Sequence, residues 1–155
     1  MRPKRLRRCQ LSVPGSSDKM LAKAAGIAVD QIFLDLEDAV APNRKDDARR
    51  NVVAAVRDMQ FRTSTISVRV NDLSSPWILD DLTALVEGCA AALDVIIVPK
   101  VLGPTDVAFV DRLLTMLEAR HGVTRPIGLE VLIEEIEALN AVDLIAAASP
   151  RLEAL

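Results

Sequence analysis

Four ionisable residues recur along this chain at nearly constant intervals: Glu37 to Arg69 is 32 residues, Arg69 to Lys100 is 31, and Lys100 to Glu134 is 34. An arginine's planar fork of donors grips a carboxylate bidentately, and in a dry site it stabilises negative charge that develops during a reaction. The blander role for Arg69 is a buried salt bridge to Glu37 or Asp35, which is compatible with the first. Glu37 and its neighbour Asp38 make a poor general acid and base, since adjacent residues on an extended strand point apart. Lys100 follows a proline that ends an apolar run, and is suited equally to substrate contact and to pairing with Glu37 or Asp38.

The elements that must position these groups alternate in type. Gln31 to Leu36, Thr65 to Val70, Asp94 to Pro99 and Pro126 to Ile133 read as strands, being short, apolar and bounded by turn residues. Arg7 to Val13 is a weaker first strand. Asn43, with Asp46 three residues on, predicts a capped helix whose apolar stripe is Ala48, Val52, Ala55 and Val56. Gly103-Pro104-Thr105 opens another, carrying Val107, Val110, Leu114 and Leu117. Strand alternating with helix predicts parallel strands joined by right-handed crossovers.

Side chains alternate along a strand, so Asp35 and Glu37 share one face and Ile32, Leu34 and Leu36 the other. Arg69 with Asn71, and Glu130 with Glu134, repeat the pattern. One face for helices and one that becomes charged at the strand ends fits a (β/α)8 TIM barrel, whose active sites gather at the C-terminal ends of the strands. A complete barrel takes about 250 residues, so residues 1–155 predict one truncated domain of about five of its eight units. No GxGxxG or Walker loop follows a strand, which leaves an open nucleotide-binding sheet without its motif.

Composition narrows the function. The chain is 50% apolar with mean hydropathy +0.24 and net charge -3, which predicts a globular domain with no global field for nucleic acid or membrane. Arg2, Lys4, Arg5, Arg7 and Arg8 crowd the start, and are read as a solvated tail leading into the first strand. No apolar run reaches the roughly 18 residues of a membrane span. Aromatics are 3% with no Tyr, leaving little for base stacking. Cys9 and Cys89 have no CxxC spacing and are expected to be reduced and half-buried in a cytoplasmic protein. His121 is the single histidine, which excludes a His-rich metal site and suits a helix end. Trp77 is expected to pack on its loop.

Val13-Pro14-Gly15-Ser16, Phe33 to Val40 (FLDLEDAV), Val68-Arg69-Val70-Asn71, Val98-Pro99-Lys100-Val101 and Gly128 to Glu134 (GLEVLIE) together resemble the motifs of the HpcH/HpaI aldolase and citrate lyase β-subunit family, including malyl-CoA lyase. The resemblance covers nearly the whole chain, and the run to Leu155 looks more like the malyl-CoA lyase branch. It implies a magnesium-dependent carbon–carbon lyase acting on a CoA thioester and a 2-oxo acid. In it Glu134 resembles a magnesium ligand, a hard cation's natural partner, with a second ligand, an aspartate, beyond Leu155. Arg69 resembles the arginine facing the substrate carboxylate and thioester oxygen. Glu37 and Asp38 resemble the acidic pair that holds metal-bound water and orients that arginine. Pro14, Gly15 and Ser16, leading into a helix with Lys19 and Lys23, resemble the region that meets CoA phosphates, as free amides at a helix start allow; an ordinary cap is the plainer role.

Two positions depart from the pattern: Glu135-Ile136 stands where the family usually has Thr-Ala, and Cys9 where it has a serine. The resemblance places a catalytic acid and a lid in a C-terminal part. The chain is therefore expected to be poorly stable and inactive unless a homo-oligomer or a complementing chain completes it. The competing expectation is a catalytically inactive paralogue that acts as an interaction partner.

Overall fold

The structure, a computed structural model, describes residues 4–155; Arg2 of the basic run lies outside the described residues. In chain order the elements are β1 (Gln10–Pro14), α1 (Asp18–Ala25), β2 (Gln31–Asp35), α2 (Lys45–Asp58), β3 (Thr65–Arg69), α3 (Ile78–Cys89), β4 (Val95–Val98), α4 (Pro104–His121), β5 (Gly128–Val131), α5 (Ile136–Asn140), α6 (Val142–Ala147) and β6 (Leu152–Ala154). All neighbouring strands are parallel, and their order in the sheet is their order in the chain. A doubly wound sheet reverses its strand order at a switch point. A sheet that always grows on the same edge keeps its helices on one face. The fold is thus a partial (β/α)8 barrel, as expected, with β6 as a strand too short for its periodicity to announce.

The helix-facing side is apolar throughout: Ile32, Leu34, Val68, Ile96, Leu129 and their helix partners Val52, Leu82, Leu85, Val110 and Leu114 are each 0% exposed. Burying each such side chain contributes about 1.5–3 kcal/mol. The expected stripes of α2 and α4 form part of this core. The cap read at Asn43 is absent. That residue lies inside a 3-10 turn, Pro42–Arg44, which runs straight into α2, so the turn's own backbone bonds replace a side-chain cap. His121 ends α4 as expected, followed by Gly122 at φ 67, the left-handed cap that glycine adopts without penalty.

Strand ends also differ from the sequence reading. β2 and β3 stop one residue early and β5 is trimmed at both ends, where Pro126 offers no amide to a ladder. β1 begins at Gln10 rather than Arg7, because the residues before it are held by their side chains. Arg5 pairs with Asp94 (3.1 Å) and Glu153 (3.0 Å), and Arg7 with Glu130 (3.1 Å) and Glu153 (2.8 Å). This corrects the solvated-tail reading. Two arginines ahead of β1 neutralise buried carboxylates of β5 and β6 across the inner face, while Arg8 pairs with Asp30 outside. Glu130, expected in phase with Glu134, belongs to this floor and accepts from Gln31 Nε2 at 3.2 Å. Arg151 ties β6 to α4 through Asp111 (2.7 Å) and Glu118 (2.8 Å).

The cysteines differ from each other. Cys9 is exposed and Cys89 buried, and burial pushes the Cys89 thiol up to about 12. Among the described residues no helix is long and apolar enough to cross a membrane.

Candidate active site

β2 and β3 pair in a register that sets Asp35 beside Arg69 at their C-terminal ends. Both side chains face inward, and Arg69 donates from Nε to Asp35 Oδ1 (2.8 Å) and from Nη2 to Asp35 Oδ2 (2.7 Å). Asp35 is 0% exposed and also accepts the Glu37 and Ala39 amides, at 2.9 and 3.0 Å. Burial pushes its carboxyl up, but the Arg69 fork and those amides outweigh it and hold Asp35 below its usual range. The Asp35 hydrogen bonds in turn raise the Arg69 guanidinium, so both stay charged. Phe33 lies beneath, its ring 5.8 Å from the guanidinium carbon.

Glu37 is buried, and its carboxylate sits between two cations: Arg69 Nη1 at 3.0 Å and Lys100 Nζ at 2.6 Å. Both partners left open for Arg69 by the sequence are therefore present. Asp38 is exposed and 3.5 Å from Lys100 Nζ, so the two adjacent acids, lying past the end of β2 at Asp35, meet the same ammonium instead of pointing apart as strand alternation predicts. Lys100 joins two parts of the site. Its ammonium reaches Glu37 and Asp38, raised to about 12 by the Glu37 hydrogen bond, while its amide donates to Glu134 Oε1 at 2.9 Å. The backbone of Lys100 is left-handed, with φ 51, a conformation that costs a non-glycine residue about 1 kcal/mol. Glu37, Arg69, Lys100 and Glu134 thus form one connected cluster at the C-terminal end of the sheet.

The Pro14-Gly15-Ser16 loop borders this cluster. The Gly15 amide donates to Asp35 O at 2.8 Å, and a Cβ on Gly15 would stand 2.6 Å from Val52 Cγ2, so glycine is required for close packing. Ser17 caps α1 and accepts the Met20 amide, with Asp18 in the first turn. This helix start supplies its own acceptor and its own negative charge. Lys19 and Lys23 are exposed, one turn apart on α1.

Sequence reasoning missed the support beneath the cluster. Lys45 is 6% exposed and donates to Leu36 O (2.7 Å), Glu37 O (2.8 Å) and Asn71 Oδ1 (2.6 Å). Asn71 does not share the inner face with Arg69, since β3 has ended; it donates from Nδ2 to Asp81 Oδ2 at 2.7 Å, and Asp81 accepts Arg49 Nε at 2.8 Å. A signal was present: Lys45 precedes Ala48 and Val52 on the same buried stripe of α2, where a charge has no ordinary place. Trp77, at the N-terminal cap of α3, sets its ring 5.2 Å from the Lys45 ammonium of α2.

The residues present do not complete a metal centre. Among the described residues no group of three His, Cys, Asp or Glu side chains could hold a metal ion. Glu134 is exposed and Glu37 is taken up by cations.

A partial (β/α) barrel with a cation–carboxylate cluster at the C-terminal strand ends defines the class of barrel enzymes. Within that class, residues 8–155 match the model of the HpcH/HpaI aldolase/citrate lyase family, and the chain belongs to this family. It is 44% identical over 153 residues to the L-malyl-CoA/beta-methylmalyl-CoA lyase of Rhodobacter capsulatus, covering 99% of this chain and 48% of that one. It is 36% identical over 156 residues to the citrate lyase subunit beta of Leuconostoc mesenteroides subsp. cremoris, covering 98% and 50%. The solved Mycobacterium tuberculosis citrate lyase beta subunit, complexed with oxaloacetate and magnesium, aligns with TM-score 0.68 and 26% identity over 94% of this chain and 56% of that one. The chain spans about half the length of the curated relatives it matches.

Proposed function

We propose that this chain provides the β1–β6 part of the active site of a magnesium-dependent carbon–carbon lyase acting on a CoA thioester. Malyl-CoA, cleaved to acetyl-CoA and glyoxylate, is the first substrate, with methylmalyl-CoA and citryl-CoA as variants. The observation that carries this reading is the Arg69 guanidinium, locked in charge and direction by Asp35 and Glu37 at the mouth of the sheet. Two of a guanidinium's five N–H donors are bonded to Asp35 while Nη1 lies 3.0 Å from Glu37 as an ion pair, which leaves donors to meet a carboxylate or a thioester oxygen. Held in place in advance, they stabilise enolate charge without reorganising.

Glu37, enclosed by two cations, orients Arg69 and Lys100. Asp38 stands at the rim, where it steadies Lys100 and can hold water. Pro14, Gly15 and Ser16, with Lys19 and Lys23, receive the CoA phosphates in this reading. Glu134 is the carboxylate that the chain lends to magnesium, and the bound ion would act as a Lewis acid on the 2-oxo acid carbonyl.

The test is calorimetric titration of the purified chain with magnesium and oxalate, a stable mimic of the 2-oxo acid, alongside an assay for glyoxylate released from malyl-CoA. Magnesium-dependent oxalate binding that weakens in Glu134→Gln and Arg69→Met is the expected result. Binding indifferent to both substitutions would overturn the proposal. In that case the open edges of β1 and β6 favour the second reading, a non-catalytic chain that pairs with another strand.

A further inference from the structure

A buried lysine at the first position of a helix is disfavoured twice. Burial lowers its affinity for a proton, and the positive end of the helix dipole repels it. Lys45 holds this position in α2, while the neighbouring Asp46 and Asp47 suit the dipole as the first turn usually does. Lys45 nevertheless has an acceptor for each of its three N–H bonds, and two of these are the carbonyls of Leu36 and Glu37, immediately past the end of β2. Asn71 Oδ1 is the third, and it is fixed from behind by Asp81, which Arg49 holds in turn.

We infer that Lys45 is a positioning residue for the proposed reaction: by holding the Leu36 and Glu37 carbonyls against the Asn71–Asp81–Arg49 chain, it aims the Glu37 carboxylate at Arg69 and Lys100. The geometry supports this in two ways. The strand ladder of β2 ends at Asp35, so the backbone that carries Glu37 has no sheet partner of its own beyond that point except the Leu36 amide bond to Arg69 O, at 2.9 Å. The Glu37 amide donates to Asp35 Oδ1 and its carbonyl accepts the Val40 amide, local bonds that do not reach Asn71; the ammonium adds the restraint that ties this backbone to the end of β3. Asn71 lies two residues past Arg69, so one ammonium fixes the ends of both strands that meet at the site. Neither carbonyl belongs to a metal-ligand candidate, and Lys45 touches none of the groups proposed to meet substrate except through the backbone of Glu37.

The inference rests on the proposed function only for the purpose of the positioning, and its test needs no substrate, so the two can fail separately. The full chain, labelled with nitrogen-15, is compared with Lys45→Met by measuring hydrogen exchange of the Arg69 Nη and Lys100 Nζ protons. Followed at mildly acidic pH and low temperature, both are expected to exchange more slowly than solvated side chains, because each meets Glu37. In Lys45→Met the rates rise roughly tenfold, the change expected from losing one hydrogen bond's worth of restraint. The Arg7 Nε proton, bonded to Glu130 at the other end of the sheet, keeps its rate and reports that the fold persists. A folded Lys45→Met chain with unchanged Arg69 and Lys100 rates would overturn the inference. Should Lys45→Met not fold, Asn71→Ala, which keeps the ammonium and removes one acceptor, decides it: faster Arg69 and Lys100 exchange supports the role, and unchanged rates refute it.

Discussion

Arg69 and Asp35 meet fork to fork on adjacent strands, with the two bonds at 2.8 and 2.7 Å, and neither residue has another partner of opposite charge that matches this geometry. Arg69→Met leaves a fully buried carboxylate unpaired, and we expect a loss of about 3 kcal/mol in denaturant unfolding at neutral pH. Asp35 is held below its ordinary 3.8 in the folded state, so its contribution is complete above that value and drains away as the pH falls through the lowered one. The gap between wild type and variant therefore narrows below pH 3.8. A gap that stays constant into acid would contradict the pairing.

Glu134 behaves in the opposite manner. It is exposed, and it accepts the Lys100 amide at 2.9 Å. Glu134→Gln is expected to change unfolding free energy by less than about 0.5 kcal/mol, while magnesium-dependent oxalate binding falls at least tenfold. Loss of stability with binding intact would reverse this assignment.

Gly15→Ala tests the close approach of the β1 loop to β2. The added Cβ would meet Val52 Cγ2 at 2.6 Å and Asp35 O at 2.9 Å, and the second of these is backbone that cannot swing aside. We expect about 1–3 kcal/mol of destabilisation from overpacking, measured by urea titration. A neutral substitution would mean that the loop stands farther from Asp35 than described.

Arg7→Met strips one cation from Glu130 and Glu153. A cost of about 3 kcal/mol is expected, and adding Glu130→Gln to the same chain should recover part of it, as a double-mutant cycle would show. Strictly additive losses would mean that the two residues do not interact.

The thiols give a fast check. Cys9 should react at once with a disulfide reagent in the native chain, whereas Cys89, pushed up to about 12, should wait for denaturation. Two thiols titrating together in the native state would argue against the burial of Cys89.

The alternation of strand and helix, the stripes of α2 and α4 and the cluster of Glu37, Arg69, Lys100 and Glu134 were legible because each rests on periodicity or on position at a strand end. What was not legible depends on contacts far apart in sequence. Arg5 and Arg7 look like surface charge until β5 and β6 are folded beside them. Lys45 looks like one more helix lysine until its stripe is aligned with Ala48 and Val52. Asn71 was assigned to the inner face by extending β3 past its end, where alternation no longer applies. β6, three residues long, has too few positions for any period.

The ion pairs that Arg7 makes with Glu130 and Glu153 span 123 and 146 residues of chain. During synthesis the segment ahead of β1 precedes its partners: Arg8 meets Asp30 early and Arg5 meets Asp94 midway, but Arg7 has no counter-charge until Glu130 of β5. The first strands can therefore assemble early, but Glu153, the carboxylate shared by Arg5 and Arg7, closes the floor only when β6 arrives, which places the final locking of the sheet among the slow, long-range events of folding. A nascent chain halted before Glu153 would hold Arg5 against Asp94 and Arg7 against Glu130, each still lacking the carboxylate that the two arginines share.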